Sequence, residues 1–189
     1  TDDMDLLVTV ASEAGVVMEN AQLYAKAKER AHTDELTGLF NHRYFHERLD
    51  EEISRCSRFG DIFSLLFLDM DLFKAYNDIY GHLAGDDMLK QIGHYVKGSI
   101  RSIDMAFRYG GDEFTVILPQ ASLEDAYKVA ERIRKRIEVE MDSTGAPLTC
   151  SFGIASWPTD GVMREEIIQA ADSALYCAKQ MGRNRACLA

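Results

Sequence analysis

Residues 104–118, Asp-Met-Ala-Phe-Arg-Tyr-Gly-Gly-Asp-Glu-Phe-Thr-Val-Ile-Leu, decide the architecture. Two strand-like runs flank Gly110-Gly111, and two carboxylates, Asp112 and Glu113, follow at once. Paired glycines suit a tight hairpin, because positive φ costs glycine little. A hairpin alone needs no pair of acids at its tip. Side-by-side carboxylates repel, and they become useful when a cation sits between them and a substrate. A bare backbone beside two acids suits a magnesium-bound phosphate ligand. From this stretch alone an exposed hairpin that happens to be acidic is the default, and it loses ground as the flanking sequence is read.

Working outward, Asp61–Asp69 contains an apolar run too continuous for a half-exposed strand, so it reads as a central one. Asn41 can cap a helix running to about Arg58, with Phe45, Leu49 and Ile53 on one face. Helices are predicted over 72–79 and 85–98, joined by Tyr80-Gly81-His82. Strands follow at 104–109 and 113–118, with Pro119 closing the second. A charged helix over 122–140 buries Ala126, Val129, Ile133 and Ile137. Leu148–Ser156 is another strand, and 164–181 a final helix ending at Gly182. The order βααββαβα predicts an α+β fold: one mainly antiparallel sheet covered by helices.

Residues 1–31 carry one uninterrupted helical pattern. Leu7, Val10, Ala14, Val17, Ala21 and Tyr24 recur at spacings of three and four, the seam of a coiled coil. An amphipathic helix packed on its own domain fits the same few heptads. The polar joint Thr33–Leu39 marks the boundary, giving a signalling helix at 1–31 and a folded domain at 32–189.

The 189 residues bear a formal charge of −10, which disfavours nucleic acid or an anionic membrane as a partner. A phosphate ligand would therefore need neutralising charge supplied locally. Cys56, Cys150, Cys177 and Cys187 show no Cys-x-x-Cys spacing, so zinc and a disulfide framework are poorly supported and a reducing cytoplasm is the expected setting. No apolar run reaches the ~20 residues of a membrane helix. Thr1 is not a natural start, which points to an excised fragment whose missing part could hold a sensor or an anchor.

Asp69 and Asp71 stand where the central strand ends, and a two-residue spacing projects both from the same side. If that strand lies beside the hairpin, Asp69 and Asp112 converge on one hard cation. For Asp71 a helix cap is an equal reading. Lys74 follows and can meet phosphate oxygens as a point charge.

Arg108-Tyr-Gly-Gly-Asp-Glu-Phe114 resembles the signature of GGDEF-family diguanylate cyclases. The likeness extends through Asp34–Asn41, Phe67–Lys74, Asn77–Asp86, Ser151–Gly153 and Ala178–Asn184, in the right order from about residue 32 to the end. It implies a nucleotidyl cyclase or polymerase-palm type fold that condenses two GTP into cyclic di-GMP, releasing two pyrophosphates, with Mg2+ (or Mn2+ as a substitute) and as a homodimer. Carried over by position, it makes Asp69, Asp112 and the Met70 carbonyl metal ligands and Glu113 an essential catalytic residue of open role. It gives Phe73, Lys74, Lys179 and Arg183 to the phosphates, and Asn77 and Asp86 to guanine. On spacing alone, Lys179 and Arg183 are i, i+4 cations on one helical face, a pattern that favours solvated charges near a helix C-terminus over a phosphate clamp, and the resemblance reverses that order. Arg101-Ser-Ile-Asp104, with Arg132, matches the family's inhibitory product site, against a plain surface ion pair. His42 displaces the arginine that usually follows Asn41, and Asp rather than Glu stands third in the signature. Residues 7–30 loosely resemble the closing helix of a GAF sensor domain. The competing function is a catalytically silent module that binds GTP or cyclic di-GMP.

Overall fold

The computed structural model describes residue 18, residues 32–144 and residues 148–189. The chain divides into two units, Thr1–Thr33 and Asp34–Ala189. Apart from Met18, the coiled-coil reading of residues 1–31 lies outside the described residues.

The second unit is built on a six-stranded sheet in the order β1-β3-β4-β2-β5-β6. Its strands are β1 (Phe40–Asn41), β2 (Phe63–Met70), β3 (Met105–Gly110), β4 (Glu113–Pro119), β5 (Cys150–Trp157) and β6 (Ala186–Leu188). The helices are α1 (His42–Phe59), α2 (Phe73–Tyr80), α3 (His82–Lys97), α4 (Leu123–Thr144) and α5 (Arg164–Gln180). All eight residues of β2 are buried, as the continuous apolar run requires of a strand covered on both faces. Its alternate side chains feed two cores. Leu66, Leu68 and Met70 join Ile92 and Val96 of α3 and Ile133 of α4, while Phe63, Leu65 and Phe67 join α1 and α5.

The three inner pairings, β3–β4, β4–β2 and β2–β5, are antiparallel. The two outer pairings, β1–β3 and β5–β6, are parallel. The mainly antiparallel α+β reading therefore holds, with two edge strands added that are too short to show a period of two. Asn41 ends β1 and also caps α1, its side chain accepting from the Tyr44 N–H at 3.0 Å. The joint between α2 and α3 shrinks to Gly81, whose φ is +83°, so α3 begins three residues before the expected start.

One close approach sets the position of α5. A Cβ on Gly153 would lie 2.0 Å from the Ala171 carbonyl oxygen and 2.2 Å from the Leu175 nitrogen. Only glycine lets the helix backbone rest on β5 there. Among the described residues no helix is long and apolar enough to cross a membrane.

Candidate active site

The antiparallel register of β2 and β4 places Asp69 opposite Glu113, and the Met70 N–H donates to the Asp112 carbonyl at 3.3 Å. The hairpin turn thus returns beside the end of the central strand, as the sequence reading required. A bulge between Arg108 and Gly110 and a left-handed Gly111 (φ +44°) turn the chain so that both acids follow directly. The docking of α5 on Gly153 brings Lys179 to the same corner, where its Nζ lies 2.9 Å from Asp69 Oδ1. A groove of about 410 Å³ opens alongside, lined by Glu113, Asp172, Tyr176, Cys177 and Lys179 among others.

The corner is electrostatically costly. Burial pushes the Asp69 carboxyl up to about 6; Lys179 opposes this and the charges of Asp112 and Glu113 add to it. Burial and then Asp112 likewise raise Glu113. Crowded, partly desolvated carboxylates are the condition a divalent cation relieves, and the donors are hard oxygens suited to magnesium. Among the described residues no three His, Cys, Asp or Glu side chains gather closely enough to hold a metal. An ion here would draw on Asp69, Asp112, the Met70 carbonyl and oxygens of the ligand. The residues fit such a group.

Two supports escaped the sequence reading. Arg108 donates through Nε and Nη2 to the Gly111 carbonyl, at 3.1 and 2.9 Å, and through Nη1 to both oxygens of Asp34 at 3.3 Å. Asp34 also accepts from the Thr37 N–H (2.9 Å) and hydroxyl (2.8 Å). Burial works against ionisation of Asp34, but the Thr37 hydrogen bonds and Arg108 outweigh it and hold the carboxyl low. The loop before β1 is thereby fastened to the glycine turn. Asp71, in contrast, is neither a helix cap nor a member of the corner. It accepts from the hydroxyls of Thr149 and Ser151, both at 2.7 Å, and from the Asn184 N–H at 3.1 Å. Asp71 therefore braces β5 and the turn after α5.

Phe73 and Asn77 converge on Gly85. A Cβ on Gly85 would sit 1.9 Å from Asn77 Oδ1 and 3.1 Å from the Phe73 ring. Asn77 Oδ1 is buried against Gly85 and has no hydrogen-bond partner, an unsatisfied acceptor of the kind native structures rarely keep. Asp86 follows Gly85 on α3 and is half-buried, while Lys74 is exposed on the first turn of α2.

Arg183 departs from expectation. Helix α5 ends at Gln180, and Arg183 and Asn184 lie beyond it with φ of +64° and +46°. Arg183 is exposed, with its N–H donating to the Ala178 carbonyl at 3.0 Å, so Lys179 and Arg183 do not share a helical face. The turn is held by Asn184, which accepts from Arg134 and donates to Glu138.

At the far end of α3, Arg101 Nη2 lies 2.8 Å from Asp104 Oδ1, whose side chain is fully buried. The Arg101 N–H also donates to Asp104 Oδ2 at 2.8 Å. Arg132 donates to the Ser99 carbonyl at 2.6 and 3.0 Å, two residues from Arg101.

The family model described as diguanylate cyclase, GGDEF domain, matches residues 31–185. Response regulator PleD of Caulobacter vibrioides is 38% identical over 167 residues, covering 82% of this chain and 36% of that protein. Diguanylate cyclase A of Treponema denticola is 38% identical over 192 residues, covering 98% of this chain and 51% of the relative. The chain thus spans between about a third and a half of these curated relatives. Among solved structures, the coiled coil and GGDEF domain of DgcB from Caulobacter crescentus, in complex with c-di-GMP, superposes with a TM-score of 0.87 at 29% identity. That match covers 97% of this chain and 99% of the other.

Proposed function

This chain belongs to the diguanylate cyclase GGDEF-domain family, and from that premise we propose that it condenses two GTP into cyclic di-GMP with release of two pyrophosphates. The observation that carries the reading is the acidic corner, where Asp69 faces Glu113 beside the Gly110-Gly111 turn. Mg2+, with Mn2+ as a substitute, is the cation assigned to Asp69, Asp112 and the Met70 carbonyl; when bound it offsets charge on the phosphates and on the attacking and leaving oxygens. Lys74, Lys179 and Arg183 neutralise the outer phosphates. Lys179 already lies against Asp69, so it can bridge that carboxylate and a phosphate oxygen. Glu113, with its proton affinity raised, has the property of a base for the attacking 3′-hydroxyl.

The base is read by Asn77 and Asp86, beside Phe73. The unpartnered Asn77 Oδ1 can accept from the exocyclic amine of guanine, and the Asp86 carboxylate from guanine N1–H and that amine. Adenine turns a lone pair toward the carboxylate and lacks the amine, so this site favours GTP by ~10⁴ or more.

One chain carries one set of these residues, and the product joins two nucleotides. Two chains therefore face each other, each 3′-hydroxyl reaching the other's α-phosphate. The three-and-four spacing in residues 7–28 supports a parallel coiled coil that raises the effective concentration of the two domains. Cyclic di-GMP binds back at Arg101, Asp104 and Arg132 and inhibits, and the cytoplasm is the setting. A silent binding module is disfavoured because Asp69, Lys74, Asp112 and Glu113 all stand in place. The test is incubation with Mg2+ and equal GTP and ATP across a protein dilution series. Cyclic di-GMP as the product, with specific activity rising with protein concentration, is expected. An adenine product in equal yield would overturn the base assignment, and activity per chain that stays flat in a monomer would overturn the dimeric mechanism.

A further inference from the structure

We propose that Cys177, Met181 and Cys187 form a three-sulfur site for a soft monovalent cation, Cu(I), at the C-terminal end of α5. Cys177 lies on the last turns of α5, and the Met181 N–H donates to its carbonyl at 2.9 Å. Side chains four residues apart on that turn share a face. Strand β6 returns along β5 and brings Cys187 to the same place, where its thiol donates to Met181 Sδ at 3.9 Å. Cys177 thus reaches the cluster through its place one turn before Met181, and Cys187 through its contact with Met181; burial, and after it Cys177, raises the Cys187 thiol. Both cysteines are free thiols; Cys177 and Met181 are exposed and Cys187 half-buried, so a cation can enter from solvent.

The chemistry of the donors selects the metal. Two thiols and a thioether are soft ligands, which favour Cu(I), whereas magnesium and calcium require oxygen. With metal–sulfur bonds of about 2.3 Å, three sulfurs in a plane around one ion stand about 4 Å apart, matching the Met181–Cys187 separation. On binding, each thiol gives its proton to solvent and copper keeps its oxidation state, so two thiolates and Cu(I) carry a net charge of −1. Arg185, which already favours the Cys187 thiolate, faces that charge. Lys179 stands between Cys177 and Met181 in sequence, so the metal would sit on the same turn as the Asp69 partner. Cys177 also lines the groove beside the acidic corner, but none of the three sulfurs is assigned to the nucleotide or its metal, so the site stands whether or not the chain is a cyclase.

The experiment is anaerobic titration of the reduced 189-residue chain against Cu(I) held by bicinchoninate, with Zn2+ in parallel. One equivalent of Cu(I) should leave the chelator. Cys177→Ser and Cys187→Ser should each weaken binding by more than the roughly 10–100-fold that loss of a supporting partner costs a metal site. Met181→Leu, which keeps the volume, should weaken it about tenfold. X-ray absorption of the loaded chain should show three sulfur neighbours, and melting curves should show the variants folded. Cu(I) left on the chelator, Met181→Leu binding like the parent, or Zn2+ bound as tightly would overturn the assignment. So would a Cys177–Cys187 disulfide that persists under reductant.

Discussion

Replacing Asp69 with Asn should stabilise the metal-free protein while removing its activity. In the folded chain burial and two neighbouring acids raise the Asp69 carboxyl from an ordinary 3.8 to about 6, even with Lys179 beside it. The folded state then holds the proton more tightly than the unfolded one. Its contribution to stability is complete below pH 4 and is lost as pH rises through 6. A difference of about two pH units, at ~1.4 kcal/mol each, sets an upper limit near 3 kcal/mol for the cost at pH 7. Asn removes that cost, and Lys179, 33% exposed, can return its ammonium to water. Urea unfolding in EDTA between pH 4 and 7.5 measures this directly. The variant and parent should coincide near pH 4 and separate by ~1–3 kcal/mol in favour of Asn by pH 7, the range set by the linkage above. Added Mg2+ should stabilise the parent and leave the variant unchanged. A gap that does not change with pH, or an Asn variant less stable at pH 7, would refute the electrostatic account of the corner.

Arg108→Lys keeps the charge but loses the fork that holds the Gly111 carbonyl and Asp34 together. Stability should fall by ~1–2 kcal/mol and turnover with it, and a cycle with Asp34→Asn should show coupling above ~0.5 kcal/mol, additivity being the result that sinks the idea. Asp86→Ser should let an adenine-containing product appear in a GTP/ATP mixture resolved by chromatography, and undiminished discrimination would mean guanine is read elsewhere. Arg101→Ala should raise the cyclic di-GMP concentration needed for inhibition without changing initial rates. Superimposable inhibition curves would reduce Arg101 and Asp104 to a structural pair.

Much of the site was legible because its residues lie in short runs whose local geometry does the positioning. Asp69 at the end of an apolar strand and the acids after paired glycines needed only one antiparallel pairing to bring Asp69 opposite Glu113. What escaped depends on distance in three dimensions. Arg108 and Asp34 are 74 residues apart, and nothing in either segment signals the bond between them. Asp71 shares the two-residue spacing of Asp69, yet Thr149, Ser151 and Asn184 arrive from elsewhere and claim it. Arg183 failed differently: helical spacing was carried past the point where Gly182, at φ +110°, had already ended the helix. The edge strands β1 and β6 were invisible because two or three residues hold no pattern.

Those edge strands also govern how the molecule can associate. Among the described residues the sheet ends in a two-residue strand on one side and a three-residue strand on the other. Long bare edges recruit further strands, and stubs this short give an incoming backbone almost no ladder to extend. Growth by strand addition, the route to runaway filaments, is thereby blunted at both margins. Partners are left to dock through helices, loops and side chains, contacts that can form and release as a signal demands.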